Sequence, residues 1–238
     1  MPSLHLDAST GLGGDMFLAA MADLGFDAGL LQYALRTAGL RIDLSCPRTV
    51  RHGLAGRRLD ISFPAEQPLR HLADLLGLLD AMPLPPEVRE RCARAFCRLA
   101  EVEAAVHGIA VEQVHFHEVG AVDTLADVTG AFLALYDLDI EQVTCSPLPW
   151  FTGTVQCAHG TLPLPAPATL HLLTGKPVFP TGFTREIITP TGALILDQCV
   201  DAFTAGPAGT VLAAGAGYGA LDLGPATQGL RAVLYAPA

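Results

Sequence analysis

No two of the six cysteines (Cys46, Cys92, Cys97, Cys145, Cys157 and Cys199) form a Cys-x-x-Cys pair. That removes the signatures of a thiolate zinc knuckle and of a disulfide framework, and most of these residues are expected to be small, buried apolar groups. Positive charge is scarce. Lysine and arginine number 14 against 24 acidic residues, a net charge of −10 at pH 7. The largest basic cluster is Arg57-Arg58, so nothing in the sequence would hold a phosphate backbone, and no nucleic-acid partner is expected. There is no run of eighteen apolar residues, and Met1-Pro2-Ser3 does not open the basic-then-apolar pattern of a secretory signal. No membrane partner is expected, and the cytoplasm is the expected address. Internal repeats and low-complexity tracts are also missing.

What the chain has in quantity is apolar side chains, 50% of its 238 residues, with only 16% charged. That is enough to bury a sizeable core. Leu4 to Asp7 alternates like a strand, the glycine-rich Gly11 to Gly14 follows, and Asp15 stands where the N-cap of a helix over Met16 to Leu24 belongs. The spacing predicts further helices over Asp27 to Ala38, Leu69 to Met82, Pro86 to Val106, Asp123 to Tyr136 and Thr191 to Cys199, with a short one ending at Leu173 after the Pro163 to Pro167 corner. Strands are expected at Ile42 to Leu44 and Leu59 to Phe63, around turns at Gly53 and Gly56. Others are expected at Val143 to Leu148, Gly153 to Cys157, Val178 to Pro180, Val211 to Gly217 and Leu230 to Tyr235. The expected class is α/β of the α+β kind, mixed sheets with packed helices. Residues 1–140 form an N-terminal α/β region and residues 141–238 a β-rich one, either as two units or as one continuous domain.

Five segments could carry chemistry. In the first, His115 and His117 share one side of an extended segment, Glu118 follows, and Asp123 and Asp127 lie i, i+4 on one helical face. Imidazole with carboxylate suits several divalent metals. The plain alternative makes the histidines interfacial and the aspartates an N-cap and a solvated first turn. The second pairs Cys157 with His159, either as ligands or nucleophile and base, or as a buried thiol beside a hydrogen-bonded histidine. In the third, Ser9, Thr10 and the amides of Gly11, Gly13 and Gly14 approach a helix start and could cradle an anion; a tight turn would need the same glycines, and Asp7 and Asp15 could equally bind metal. In the fourth, Thr189 and Thr191 flank Pro190 and either hold an anion or cap the next helix. The fifth, Gly215 to Gly219, allows close backbone approach but reads most simply as a turn.

In this order along the chain, the segments resemble the LarC family of nickel insertion proteins. The matching residues are Leu6-Asp7-Ala8 with Gly11 and Gly14-Asp15-Met16, then Val106-His107-Gly108, and Val114 to Asp123 with Asp127. They continue with His159-Gly160-x-Leu-Pro and Pro165 to Thr169, Thr189 to Ala193, and Gly217-Tyr218-Gly219. The resemblance implies CTP-dependent insertion of Ni²⁺ into pyridinium-3,5-bisthiocarboxylic acid mononucleotide, making the nickel-pincer cofactor of lactate racemase-type enzymes. Such a cyclometallase, of the lyase class, would use CTP with Mg²⁺ or Mn²⁺. On this reading His115, His117 and Asp123 take nickel, with Asp7, Asp15 and His159 as further candidate ligands. Glu118 or Asp127 serves as a second ligand or accepts the ring proton, and Gly11, Gly13, Gly14, Thr189 and Thr191 hold the anionic substrate.

Two departures matter. The family's histidine-rich tract is reduced here to Ser62 through His71, and its C-terminal CTP domain is not found in this sequence. A LarC-type C-terminal domain on a separate chain would supply it, and a homo-oligomer is compatible with the sequence. The rival readings are a nickel-binding chaperone without catalysis and a metal-dependent hydrolase.

Overall fold

The computed structural model describes residues 2–64, 70–116, 122–157, 160–224 and 229–238. Strand β1 (Ser3–Asp7) leads through the glycine loop into α1 (Gly14–Leu24). The N-cap of α1 is Gly13, two residues earlier than expected, and Asp15 sits inside the first turn with its Oδ1 accepting from Met16 N at 2.8 Å. Gly25 ends the helix with φ 121°, Gly25 N bonding Ala22 O and Phe26 N bonding Met21 O, the paired closure that a positive φ allows. Asp27 caps α2 (Ala28–Thr37) by accepting from Gly29 N.

Four short strands follow: β2 (Asp43–Ser45), β3 (Arg48–Arg51), β4 (Leu54–Arg58) and β5 (Asp60–Ser62). His52 and Gly53, both at positive φ, turn β3 back onto β4, the backbone such a two-residue hairpin requires. Gly56, expected in a turn, is instead inside β4. A Cβ there would meet Ala216 O at 2.8 Å, so it marks a close strand contact.

The central helices come next: α3 (Leu72–Ala81), α4 (Pro86–His107), a 3-10 turn at Val111–Gln113, and α5 (Val122–Asp137). Pro86 starts α4 where its missing N–H costs nothing, and Gly108 ends it in the left-handed conformation. The Val106-His107-Gly108 motif is therefore a helix stop. Helix α5 is buried at every residue from Thr124 to Leu135 and packs on α1, α2 and α4. A helix apolar on all sides has no solvated face. Asp127 lies in that run.

The rest is β6 (Gln142–Cys145), β7 (Leu148–Trp150), β8 (Thr154–Cys157), β9 (Gly160–Pro163), α6 (Pro167–Leu173), β10 (Val178–Pro180), α7 (Pro190–Cys199), β11 (Ala202–Phe203), β12 (Gly209–Tyr218) and β13 (Leu230–Pro237). The single strand expected over Val143 to Leu148 is two strands in different sheets, β6 in the large sheet and β7 beside β10. The main sheet is seven-stranded in the order β11-β6-β1-β13-β12-β4-β3. β1 runs parallel to β6 and antiparallel to β13, so the sheet is mixed, as expected of an α/β fold with packed helices. Strands from both sides of residue 140 share it.

Gly215 to Gly217 form no turn but the end of β12, under α1. A Cβ on Gly217 would lie 1.9 Å from Met16 O, and one on Gly215 2.7 Å from Ala20 O. The glycines let the helix backbone rest on the strand, which sets α1 and its leading loop above the sheet. Among the described residues no helix is long and apolar enough to cross a membrane.

Candidate functional site

The loop before α1 and the loop before α7 are pinned to each other backbone to backbone. Leu12 N donates to Ile187 O at 2.8 Å and Thr189 N donates to Leu12 O at 3.2 Å, a parallel bridge of Leu12 with Ile188. The contact is possible only without side chains at its edges. A Cβ on Gly11, whose φ is 108°, would stand 2.1 Å from Ile187 O, and one on Gly192 would stand 2.1 Å from Leu12 O. Gly14 gives the same room to α5, since its Cβ would fall 2.2 Å from Asp127 Oδ2. Three of the glycines in two family motifs are thus explained by the way the two loops and α5 meet.

A cavity of about 720 Å³ opens at this junction. Asp15, Asp123, Asp127 and Glu186 contribute carboxylates to its lining, and Thr189 and Thr191 contribute hydroxyls. The far side is formed by Val155 to Cys157 of the β8–β9 hairpin together with apolar Leu59, Ile61 and Phe63. A second, smaller cavity of about 190 Å³ shares Asp15, Glu186 and Thr189 with the first and is lined by Met16, Leu221, Leu223 and Arg51. Arg51 is held in place there, donating to Gly219 O and Leu221 O with its guanidinium 5.1 Å from the Tyr218 ring centre.

Asp127 is strongly perturbed. It is 7% exposed, and its Oδ1 is buried with no hydrogen-bond partner among the described residues. Burial, with the charges of Asp15 and Asp123 adding to it, pushes its carboxyl well above the ordinary range, against a hydrogen bond from Thr191. Gly192 N donates to Thr189 Oγ1, which lies 3.0 Å from Thr191 Oγ1. With Asp127 ionised, one direction satisfies every donor: Gly192 N–H to Thr189, Thr189 to Thr191, Thr191 to Asp127. Burial also raises Asp15, opposed by backbone donors at Met16 and Ala220. Asp127 is thus neither an N-cap nor a solvated first-turn residue.

The other expected site residues divide. Asp123 lies in the first turn of α5, accepts from Thr124 N at 2.8 Å and lines the main cavity. Thr189 is the N-cap of α7 and also lines the cavity, so the cap and the site are the same residue. Gly13 faces the smaller cavity and Gly14 the larger, while two amides of the glycine loop are spent inside the fold, Gly11 N on Ala8 O and Leu12 N on Ile187 O. Asp7 lines neither cavity. Burial raises its carboxyl, but Ser9 and the Arg231 guanidinium, 2.6 Å away, outweigh that and hold it below its ordinary value. His115 is exposed and lines neither cavity; it stands against the ring of His71, with centroids 4.1 Å apart. His117, Glu118 and His159 lie outside the described residues. Among the described residues, no group of three or more His, Cys, Asp or Glu side chains is arranged to hold a metal ion.

Sequence reasoning missed Glu186 and Arg51 in the lining of the cavities. Glu186 opens the Glu186 to Gly192 segment and could have been found there as the acidic member of a threonine-rich loop. Arg51 reaches the cavity through contacts with a distant segment.

The chain matches a family model described as nickel insertion protein over residues 4–238. A putative nickel insertion protein of Desulfotalea psychrophila is 43% identical over 222 residues, covering 92% of this chain and 57% of the relative. A pyridinium-3,5-bisthiocarboxylic acid mononucleotide nickel insertion protein of Desulfitobacterium hafniense is 41% identical over 226 residues, 94% of this chain and 56% of the relative. A putative nickel insertion protein of Pelobacter propionicus is 44% identical over 237 residues, 98% of this chain and 60% of the relative. The chain therefore spans under two thirds of the length of these relatives. No solved structure matches it. The model match over nearly the whole chain, joined to these identities, means that the chain belongs to the nickel insertion protein family.

Proposed function

We propose that this chain carries the metal and substrate chemistry of nickel insertion into pyridinium-3,5-bisthiocarboxylic acid mononucleotide. The observation that carries the reading is Asp127, a buried carboxylate with one unpartnered oxygen, lining an acidic cavity large enough for a mononucleotide-sized ligand. Insertion forms a nickel–carbon bond at the pyridinium ring, so a ring C–H bond must break and its proton must go to a base while Ni²⁺ keeps its oxidation state. The two thiocarboxylate sulfurs complete the pincer by donating lone pairs. A carboxylate whose affinity for a proton is raised by burial suits that role, because a base acts best when its pKa approaches the working pH.

The other carboxylates then have a purpose. Asp15, Asp123 and Glu186 offer oxygen donors that hold a divalent ion loosely enough to release it to sulfur and carbon, and Glu118 and His117 remain candidate additions from the segment before α5. Thr189, Thr191 and the free end of the Gly13-Gly14 loop would meet the anionic parts of the substrate. Four carboxylates around one cavity repel an anion, so nickel is expected to bind before or together with the substrate. CTP with Mg²⁺ or Mn²⁺ would act through the portion of the longer relatives that this chain does not span, and the product would serve lactate racemase-type enzymes.

The test is to incubate the chain with Ni²⁺, the pyridinium substrate and Mg-CTP, with and without the C-terminal portion of the Desulfitobacterium hafniense relative as a separate chain. The nickel adduct, one proton lighter on the ring, is followed by mass spectrometry. Wild type is expected to form it, and Asp127→Asn to form it at least about a hundredfold more slowly. An Asp127→Asn protein that inserts nickel at the wild-type rate defeats the reading.

A further inference from the structure

Arg51 is the only lysine or arginine among the described residues that line either cavity. It is the last residue of β3, and the segment that follows β12 holds its side chain. Its Nη1 donates to Leu221 O at 2.9 Å and its Nη2 to Gly219 O at 2.8 Å, while the guanidinium lies over the Tyr218 ring. Two more bonds tie the same pair of segments together, His52 Nε2 with Asp222 Oδ1 at 2.9 Å and the Tyr218 hydroxyl to Leu54 O at 3.1 Å. The Gly217-Tyr218-Gly219 motif, to which the proposed chemistry gives no task, is thus the seat of Arg51. Gly217 brings the strand under α1, Tyr218 supplies the ring and Gly219 the carbonyl.

What holds Arg51 does not neutralise it. Carbonyls and a ring face attract a guanidinium but carry no net charge, and among the described residues no carboxylate pairs with it. Of the five N–H donors of a guanidinium, two are spent on the carbonyls and three are left. Met16, Ile187, Leu221 and Leu223 make the surrounding wall apolar, which strengthens any charge contact made there. A fixed planar fork with donors to spare is the arrangement that takes a phosphate or carboxylate.

The cavity is sized for one end of a ligand. Its volume of about 190 Å³ falls below the roughly 300 Å³ at which sites for whole small molecules begin. It joins the larger cavity across Asp15, Glu186 and Thr189, which line both, whereas Asp127 lines only the larger and Arg51 only the smaller. A ligand spanning the two puts its reacting end by Asp127 and an anionic end by Arg51. A pyridinium mononucleotide is built that way. Its thiocarboxylates stay on the ring, where the metal goes, and its ribose carries the phosphate several bonds away.

We infer that the smaller cavity is a phosphate subsite, in which Arg51 binds the phosphate monoester of the mononucleotide and so sets the pyridinium ring against Asp127. That the phosphate belongs to a pyridinium mononucleotide rests on the function proposed above; a subsite for a phosphate monoester does not. A monoester brings about two negative charges and three acceptor oxygens to the fork, and Arg51 is the cation that lets so anionic a molecule enter an acidic site.

The experiment titrates the whole chain by calorimetry, with NiCl₂ present throughout, using nicotinic acid mononucleotide as a stable pyridinium mononucleotide and its phosphate-free riboside. Wild type should bind the mononucleotide at least about tenfold more tightly than the riboside, the scale of hydrogen bonds between charged groups. Arg51→Ala should erase that difference and leave the riboside affinity unchanged, and Arg51→Lys, which keeps the charge and loses the fork, should retain part of it. An Arg51 that only braces the fold would weaken both ligands alike, so parallel losses overturn the inference. Equal wild-type affinities for the two ligands also overturn it, and that comparison needs no variant to fold. CTP is titrated alongside; a loss at Arg51→Ala that falls on CTP and not on the mononucleotide assigns the subsite to the triphosphate and overturns the inference as well. Phosphate discrimination that depends on Arg51, in a protein that inserts no nickel, would sink the function proposed above and leave the subsite standing. Nickel insertion by Arg51→Ala at the wild-type KM for the substrate would do the reverse.

Discussion

Asp7 and Asp127 sit in family motifs of similar strength, yet the fold treats them in opposite ways. Asp7 ends a strand at the sheet's surface, where a guanidinium and a backbone amide meet its carboxylate and keep it ionised. Asp127 sits in the middle of a helix that is buried on every side, with hydroxyl help on one oxygen, none on the other, and two further carboxylates near enough to raise its pKa. Desolvation acts on both. The difference is the partner: a cation offsets it in the first case, and only Thr191 opposes it in the second. An unrelieved buried carboxylate costs stability, and such costs gather where a protein does chemistry.

The comparison breaks most decisively at Asp127. If its discomfort serves proton transfer, Asp127→Asn removes at least about a hundredfold of insertion rate, whereas Asp7→Asn leaves the rate within about twofold; single-turnover assays of both variants decide this. Equal losses would mean that the two aspartates share a structural role. Next in size is the scaffold. A methyl at Gly192 meets the carbonyl of Leu12, which cannot swing away, so Gly192→Ala is expected to lose about 1–3 kcal/mol in urea unfolding and to lower nickel insertion with it. A methyl at Gly77 in the middle of α3 meets nothing within 4 Å, and Gly77→Ala should hold or gain stability instead.

Much of this could be read before the fold was known. The helices over Pro86–His107, Val122–Asp137 and Pro190–Cys199 fall within a residue or two of expectation, because their apolar spacing and their Pro and Gly punctuation act locally. Val143 to Leu148 went wrong since apolar continuity cannot reveal that Ser146-Pro147 sends the chain from one sheet to another. Gly215 to Gly219 allowed both the end of a strand over Val211 to Gly217 and a turn, because a strand lying under a helix backbone needs the same residue as a bend; the strand is what forms. At the site, Asp15, Asp123, Asp127, Thr189 and Thr191 do line one cavity, but Asp7 carries an equally good motif and lines neither. Sequence proximity suggested that His115 belongs with Asp123. The fold sets its ring against His71 instead.

Smaller effects separate the two aspartates by pH. Asp127 has a folded pKa raised above its unfolded one, so the folded state is best off with the proton on. Stability falls as pH rises from the ordinary carboxylate range through the folded pKa. Asp127→Asn removes that charge, so above the ordinary carboxylate range the variant should be more stable than wild type, the gain shrinking as pH falls back into that range. Asp7 has the opposite sign. Its folded pKa is depressed, so its contribution is present above the unfolded value and fades as pH falls through the folded one. Because Arg231 is 57% exposed, that contribution is at most about 1 kcal/mol, and Asp7→Asn should cost it at pH 7 and progressively less as pH falls through the folded value. Urea midpoints of the two variants plotted against pH should therefore approach wild type from opposite sides on acidification. Two curves on the same side would mean that Asp127 is held ionised by a cation in the folded protein, and its place as the proton acceptor would pass to Glu118.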